Sequence, residues 1–190
     1  MGISYKTFGL REVLPKKIIL PEQVHGTRIV EIVTGSEDLS DTDGVYARFD
    51  DSSEERLLLG IKTADCAPIV FWDEEKYGVV HVGWRGLVNG MVENMLGLLD
   101  SVNGEVWIGP LLPVFEIQKD ECYELVEQKF GSKFFKEKEG RIYFQFQEAL
   151  ASLLEGAEFD GRSTFEDKTF ASWRRDQDDR RNVTIVMGLG

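Results

Sequence analysis

Two side chains with ligand or nucleophile chemistry fall on what reads as the two arms of one hairpin. Apolar runs at residues 68–72 and 79–84 flank a polar stretch, Asp73-Glu74-Glu75-Lys76, the pattern of a β-hairpin. With the turn centred between Asp73 and Glu74, residues whose numbers sum to 147 face each other, and Cys66 and His81 are such a pair. Their Cβ atoms would then lie roughly 4.5–5.5 Å apart on one face, close enough for a shared metal or a direct thiolate–imidazole contact. A slip of one residue would send them to opposite faces. The other histidine, His25, lies in Gln23-Val24-His25-Gly26 ahead of an expected strand. If it reaches the same place, two imidazoles and a thiolate make three donors that zinc accepts, with a fourth position left for water or substrate, a catalytic rather than structural pattern. Copper also takes such nitrogen and sulfur donors. The spacing by itself matches no recognised zinc motif.

Directly after the strand of His81 comes Gly83-Trp84-Arg85-Gly86 and then a helical pattern. A glycine-bearing turn into a helix start offers free backbone N–H groups and Arg85 adds a two-pronged donor, which together suit a phosphate or carboxylate. Basic charge gathers again in Ser172-Trp173-Arg174-Arg175-Asp176 and Arg180-Arg181. Such a run ordinarily pairs with its own acidic neighbours, here Asp176, Asp178 and Asp179, but Arg174 or Arg175 would serve an anion site if turned inward. Asp43 and Asp65 are placed to orient a ligand histidine or accept a proton. Cys122, on an expected helix, reads as packing. The chain contains no P-loop, no dinucleotide-binding fingerprint, no G-x-S-x-G and no H-E-x-x-H.

The elements that must position these groups follow from pattern. Strands are expected at 29–33, 57–61, 68–72, 79–84, 106–108 and 183–187. The apolar residues Leu87, Val88, Met91, Val92, Met95, Leu96, Leu98, Leu99 and Val102 recur at helical spacing up to Asn103-Gly104, predicting one long helix. Asp120 caps a shorter helix ending near Gly131, and Phe146 to Leu154 form another ending at Gly156. Residues 34–44 and 50–55 are the main expected loops. Several strands precede the first long helix, so the order is α+β with mixed sheets.

The 190 residues carry 22 Lys+Arg against 34 Asp+Glu, a net charge of −12. That argues against nucleic acid or anionic membrane as partner. Length and the absence of an internal linker point to one domain over 1–190. With no leader or spanning segment in view, a cytoplasmic protein is expected, and two cysteines form no disulfide framework.

The set Gln23-Val24-His25-Gly26, Thr42-Asp43-Gly44, Thr63-Ala64-Asp65-Cys66-Ala67-Pro68, His81-Val82-Gly83-Trp84-Arg85-Gly86, Ile108-Gly109-Pro110 and Ser172-Trp173-Arg174-Arg175-Asp176 resembles the family long labelled multicopper polyphenol oxidase or laccase domain and since reassigned as purine nucleoside phosphorylase with adenosine deaminase activity. The resemblance runs from about Pro21 to the C-terminus. It implies a zinc site of His25, Cys66 and His81 and a four-layer α/β/β/α sandwich of mixed sheets. It also implies phosphorolysis of adenosine, inosine or guanosine, with deamination of adenosine as a second activity. On that reading Arg85, Gly86 and Arg174 bind phosphate or substrate, and Asp65 and Arg85 take part in catalysis. The same architecture is similar to the catalytic domain of cytotoxic necrotizing factor toxins, which supplies a rival mechanism: Cys66 as a nucleophile activated by His81 without metal. Two departures stand out. Only 22 residues precede Gln23, where family members carry some tens more. Leu111 and Ser163-Thr164 also stand where many members have cysteines, which weakens a multicopper oxidase reading.

Overall fold

The structure, a computed structural model, describes residues 2–50, 56–100 and 103–189. Strands β1 (Gly2–Phe8), β2 (Ile18–Ile19), β3 (Ile29–Glu31), β4 (Gly44–Arg48), β5 (Leu58–Thr63), β6 (Ala67–Trp72) and β7 (Lys76–Val82) precede the first helix. Then come helices α1 (Trp84–Asn89) and α2 (Met91–Leu96), strands β8 (Glu105–Ile108) and β9 (Phe115–Ile117), and helix α3 (Glu121–Phe130). The chain closes with β10 (Phe135–Lys138), β11 (Arg141–Phe144), α4 (Phe146–Ala151), β12 (Glu158–Phe159), α5 (Trp173–Asp176) and β13 (Asn182–Leu189).

Three sheets result. One runs β1-β13-β5-β2, a second β12-β8-β6-β7-β4-β3, and a small third β10-β11-β9. The first two mix parallel and antiparallel neighbours, so the α+β class with mixed sheets is the one observed. The two larger sheets pack face to face through Leu59, Ile61, Val70, Val79 and Val186. The other face of the six-stranded sheet packs Ile69, Phe71 and Val80 against Leu87, Met91 and Met95 of α1–α2 and Phe146 and Leu150 of α4. Each such fully buried side chain contributes about 1.5–3 kcal/mol.

The long helix expected from Leu87 to Asn103 is two short ones. Gly90 adopts φ +95° between α1 and α2, a left-handed conformation that only glycine enters cheaply, and Gly97 closes α2 with its N–H on the Glu93 carbonyl. Val102 of the expected helix lies outside the described residues, as do 51–55 of the expected 50–55 loop. The strand expected over 79–84 ends at Val82, because the extended Gly83 hands the chain to α1, where Leu87 donates its N–H to the Gly83 carbonyl. The α3 cap is as expected: Asp120 accepts from the N–H groups of Cys122 and Tyr123. Helix α4 stops at Ala151, short of Gly156. Strands β1, β2, β4, β9, β10, β11 and β12 lie outside the expected set. Several of them, such as Phe-Lys-Glu-Lys of β10, are short, charged edge segments with little apolar signal.

Candidate metal centre

Alternation along three neighbouring strands builds the site. Val45 and Ala47 of β4, Val70 and Trp72 of β6, and Tyr77 and Val79 of β7 all pack between the two large sheets. Stepping by two along each chain toward the same end reaches Asp43, Cys66 and His81. The hairpin register is β6 to β7 with Pro68 opposite His81, so Cys66 is diagonal to His81 and not directly across from it. The expected turn centre was one residue early. Asp73 is the first turn residue, its carboxylate accepting from the N–H groups of Glu75 and Lys76, which moves the pairing by two residues. A shift of two preserves the face, which is why the side chains still meet.

His25 arrives from the loop between β2 and β3 in a left-handed conformation, φ +63°. The N–H groups of Val24, His25 and Gly26 all donate to the carboxylate of Asp43, at 3.1, 2.9 and 2.7 Å. That carboxylate, fully buried, also lies 2.7 Å from Nδ1 of His81, while the His81 N–H donates to the Asp43 carbonyl. One aspartate therefore sets both histidines. With Nδ1 turned to Asp43, His81 presents Nε2 to the cluster. The rings of His25 and His81 meet edge to face at 4.7 Å. Ligand atoms of His25, Cys66 and His81 lie within 4.8 Å of one another, and among the described residues this is the one cluster of three or more such donors. Gly83 closes the floor: a Cβ there would sit 3.0 Å from the Cys66 sulfur and 3.3 Å from the His25 ring.

Charge reinforces the geometry. Burial pushes the Cys66 thiol up, but the neighbouring His81 and hydrogen bonds from His25 and His81 outweigh it and hold the thiol below its ordinary range. Burial likewise opposes charge on His81, and Cys66 and Asp43 override it upward. Both shifts favour the charged forms of the pair. The Asp43 carboxyl is lowered, burial being outweighed by the hydrogen bonds from His81 and the Gly26 and Val24 N–H groups. Cys122 is the opposite case, a buried thiol pushed up to about 12 by desolvation, and it is packing as expected.

Asp65 lines the cleft beside Cys66. At φ +84°, its two oxygens accept from Thr164 Oγ1 and the Arg174 N–H, each at 2.7 Å, so it pins α5 to the site. Arg174 and Arg175 divide the alternatives. Arg174 lines the cleft, lying over the Phe115 ring at 4.8 Å and donating to the Glu116 carbonyl. Arg175 is tied to the Thr164, Phe165 and Phe170 carbonyls and to Asp176. Arg85 stacks on Trp84 at 4.4 Å with Glu121 at 3.7 Å. Gly86 is buried in the first turn of α1, where a Cβ would lie within 4 Å of the Gly26 and His81 carbonyls.

The centre opens into a cleft of about 860 Å³. Lys62, Arg85, Arg174 and Arg181 make a basic rim, and Trp84, Phe115 and Trp173 an aromatic one. Sequence reasoning missed Lys62 and Phe115. Lys62 has a signal, standing one residue before Thr63-Ala64-Asp65-Cys66 on the opposite face of β5. Phe115 has none. Among the described residues no helix is long and apolar enough to cross a membrane.

Residues 6–188 match the family model described as multi-copper polyphenol oxidoreductase laccase. A protein of Aquifex aeolicus named purine nucleoside phosphorylase is 31% identical over 181 residues, covering 92% of this chain and 84% of its own. One of Shigella flexneri, named purine nucleoside phosphorylase YfiH, is 27% identical over 91% of this chain and 74% of its own. Among solved structures, a Neisseria meningitidis protein superposes with a TM-score of 0.79 at 21% identity, over 91% of this chain and 75% of that one. The hypothetical protein YfiH of Bacillus licheniformis gives 0.76, also at 21%, over 92% and 74%. The two structures show likeness of fold.

Proposed function

Because the chain belongs to the multi-copper polyphenol oxidoreductase laccase family, and its relatives in Aquifex aeolicus and Shigella flexneri are named purine nucleoside phosphorylases, we propose that it is a zinc-dependent purine nucleoside phosphorylase. The substrates are adenosine, inosine and guanosine with phosphate, and adenosine deamination is a second activity of the same cleft. The observation that carries this reading is a three-donor centre at the floor of a cleft with a basic and an aromatic rim.

His25, Cys66 and His81 fit zinc: the donors are two imidazoles and a thiol whose anion is favoured, the imidazole of His81 is oriented by Asp43, and all three residues line the cleft. One cluster of three donors suits a single ion better than several coppers. Held by these three residues, zinc would supply Lewis-acid chemistry to a substrate oxygen. The chain's own residues do the rest. Arg85 and Arg174 hold phosphate by charge-assisted hydrogen bonds, and Trp84, Phe115 or Trp173 stack the purine. Held so, a phosphate oxygen attacks C1′ of the ribose and the N-glycosidic bond breaks. Its electron pair leaves with the base, which takes up the proton that hydrogen phosphate gives up, and the other product is ribose 1-phosphate. Asp65 keeps α5, and so Arg174, in place. The test is metal analysis of purified protein followed by nucleoside assays with and without phosphate. Zinc-loaded protein that consumes no nucleoside would overturn the reading.

A second reading has its own observation, the alignment of Cys66, His81 and buried Asp43 in the order nucleophile, base and orienting acid. This is a metal-free hydrolase or deamidase. Stoichiometric zinc that disappears in His25→Ala sinks it, since His25 has no part in that triad. A copper-dependent polyphenol oxidase predicts copper in the centre and oxygen uptake with phenols.

A further inference from the structure

The inner row of β5 ends in a hydroxyl that nothing in the fold uses. Leu59 and Ile61 point between the sheets, and Thr63 continues that row at the end where the chain bends through Asp65 and Cys66 into β6. Thr63 is 2% exposed, lines the cleft with Cys66 and His81, and its Oγ1 has no hydrogen-bond partner among the described residues.

Its neighbours are all provided for. Thr63 pairs with Asn182 of β13, whose side chain donates to the Ala171 carbonyl and accepts from the Ala171 N–H. Thr184, next in that row, bonds to Thr7 at 2.7 Å. Three buried polar side chains at this end of the sandwich are therefore satisfied within the fold, and Thr63 is left over. A buried hydroxyl without a partner costs free energy that a hydrogen bond to a bound group would recover.

We propose that Thr63 Oγ1 donates a hydrogen bond to an oxygen of the bound substrate, either a phosphate oxygen or a ribose hydroxyl. The inference rests on the phosphorolysis reading for the identity of the ligand and on the orphan hydroxyl for the residue.

The test compares Thr63→Val, which keeps the shape and removes the hydroxyl, with Thr63→Ser, which keeps the hydroxyl. Measurements on zinc-loaded protein are steady-state kinetics with inosine and phosphate varied separately, calorimetric titration with each ligand, zinc content, and the melting temperature without ligand. Thr63→Val is expected to lower kcat/KM about tenfold, while Thr63→Ser stays within about threefold of wild type. The valine protein should keep its zinc and melt no lower than wild type, because an unsatisfied group has been removed. A rise in KM or Kd for phosphate assigns the bond to phosphate, and a rise for inosine assigns it to the ribose. Kinetics and affinities of Thr63→Val within twofold of wild type would overturn the proposal. So would a lowered melting temperature with unchanged kinetics, which marks a structural water on the hydroxyl. Wild-type binding without turnover overturns the phosphorolysis reading alone and leaves the titrations to decide on Thr63. Neither turnover nor binding overturns both.

Discussion

The carboxylate of Asp43 lies 2.7 Å from Nδ1 of His81 and receives the backbone N–H of His25 at 2.9 Å. A single buried side chain thus aims one ligand and fixes the loop that carries the other. Asp43→Asn removes the charge that favours the Nε2-presenting state and one of the two oxygens that between them accept from the three loop amides. Zinc affinity, read by competition with a chromophoric chelator, should fall about 10–100-fold. Zinc content would be retained at high metal concentration, unlike Cys66→Ala, which should lose it outright. Unchanged affinity in the asparagine protein would show that Asp43 does not orient the site.

The two cysteines should react in opposite ways. Cys66 is held toward the thiolate by His81 and His25, whereas Cys122 is buried with its thiol pushed up to about 12. Nucleophilicity follows the thiolate fraction. In metal-free protein at neutral pH a thiol reagent should label one cysteine rapidly, and none in Cys66→Ala until the protein unfolds. Saturating zinc should protect Cys66. Equal labelling of both thiols in the native protein would contradict this assignment.

These contrasts show which parts of the site were readable in advance. Cys66 and His81 were, because side-chain parity survives the two-residue shift imposed by the Asp73 turn. The division of the long helix at Gly90 was not: Leu87, Met91, Val92 and Met95 are all buried, so the periodicity reports which face is covered and is blind to the φ of the residue between two turns. Asp43 was legible as a carboxylate able to orient a ligand histidine, but not as one that serves both histidines. Its role depends on His25 and His81, distant in sequence, meeting on either side of it. Phe115 reaches the cleft only through the packing of β9 beside α5, which no local pattern encodes.

Helix α5 gives a pH dependence whose sign is fixed. Asp176 is lowered to about 2 from an ordinary value of 3.8, first by its hydrogen bond with Arg175, with the Ser172 N–H and Arg180 adding to it. A depressed carboxyl contributes stability above its unfolded value and loses it as pH falls through the folded one. The stability difference between wild type and Asp176→Asn, from denaturant titrations, should be full above pH 4 and shrink steadily toward pH 2. A difference constant across that window would show that the pair contributes nothing through charge.

Arg85 and Arg174 both line the cleft, one stacked on Trp84 and the other over Phe115. Neither touches the three metal donors, so their loss should separate anion binding from metal binding. Arg85→Ala and Arg174→Ala should each raise KM for phosphate about tenfold or more, the scale of one charge-assisted hydrogen bond. KM for inosine and zinc content should change little. Lysine at either position keeps the charge but not the two-pronged donor, and should restore part of the loss. Arg175→Ala should behave differently. Its guanidinium holds the 164–170 segment through three carbonyls, so it should lower the melting temperature before it touches any kinetic constant. If Arg85→Ala and Arg174→Ala instead raise KM for inosine and leave that for phosphate unchanged, the basic rim binds the nucleoside and phosphate must enter elsewhere.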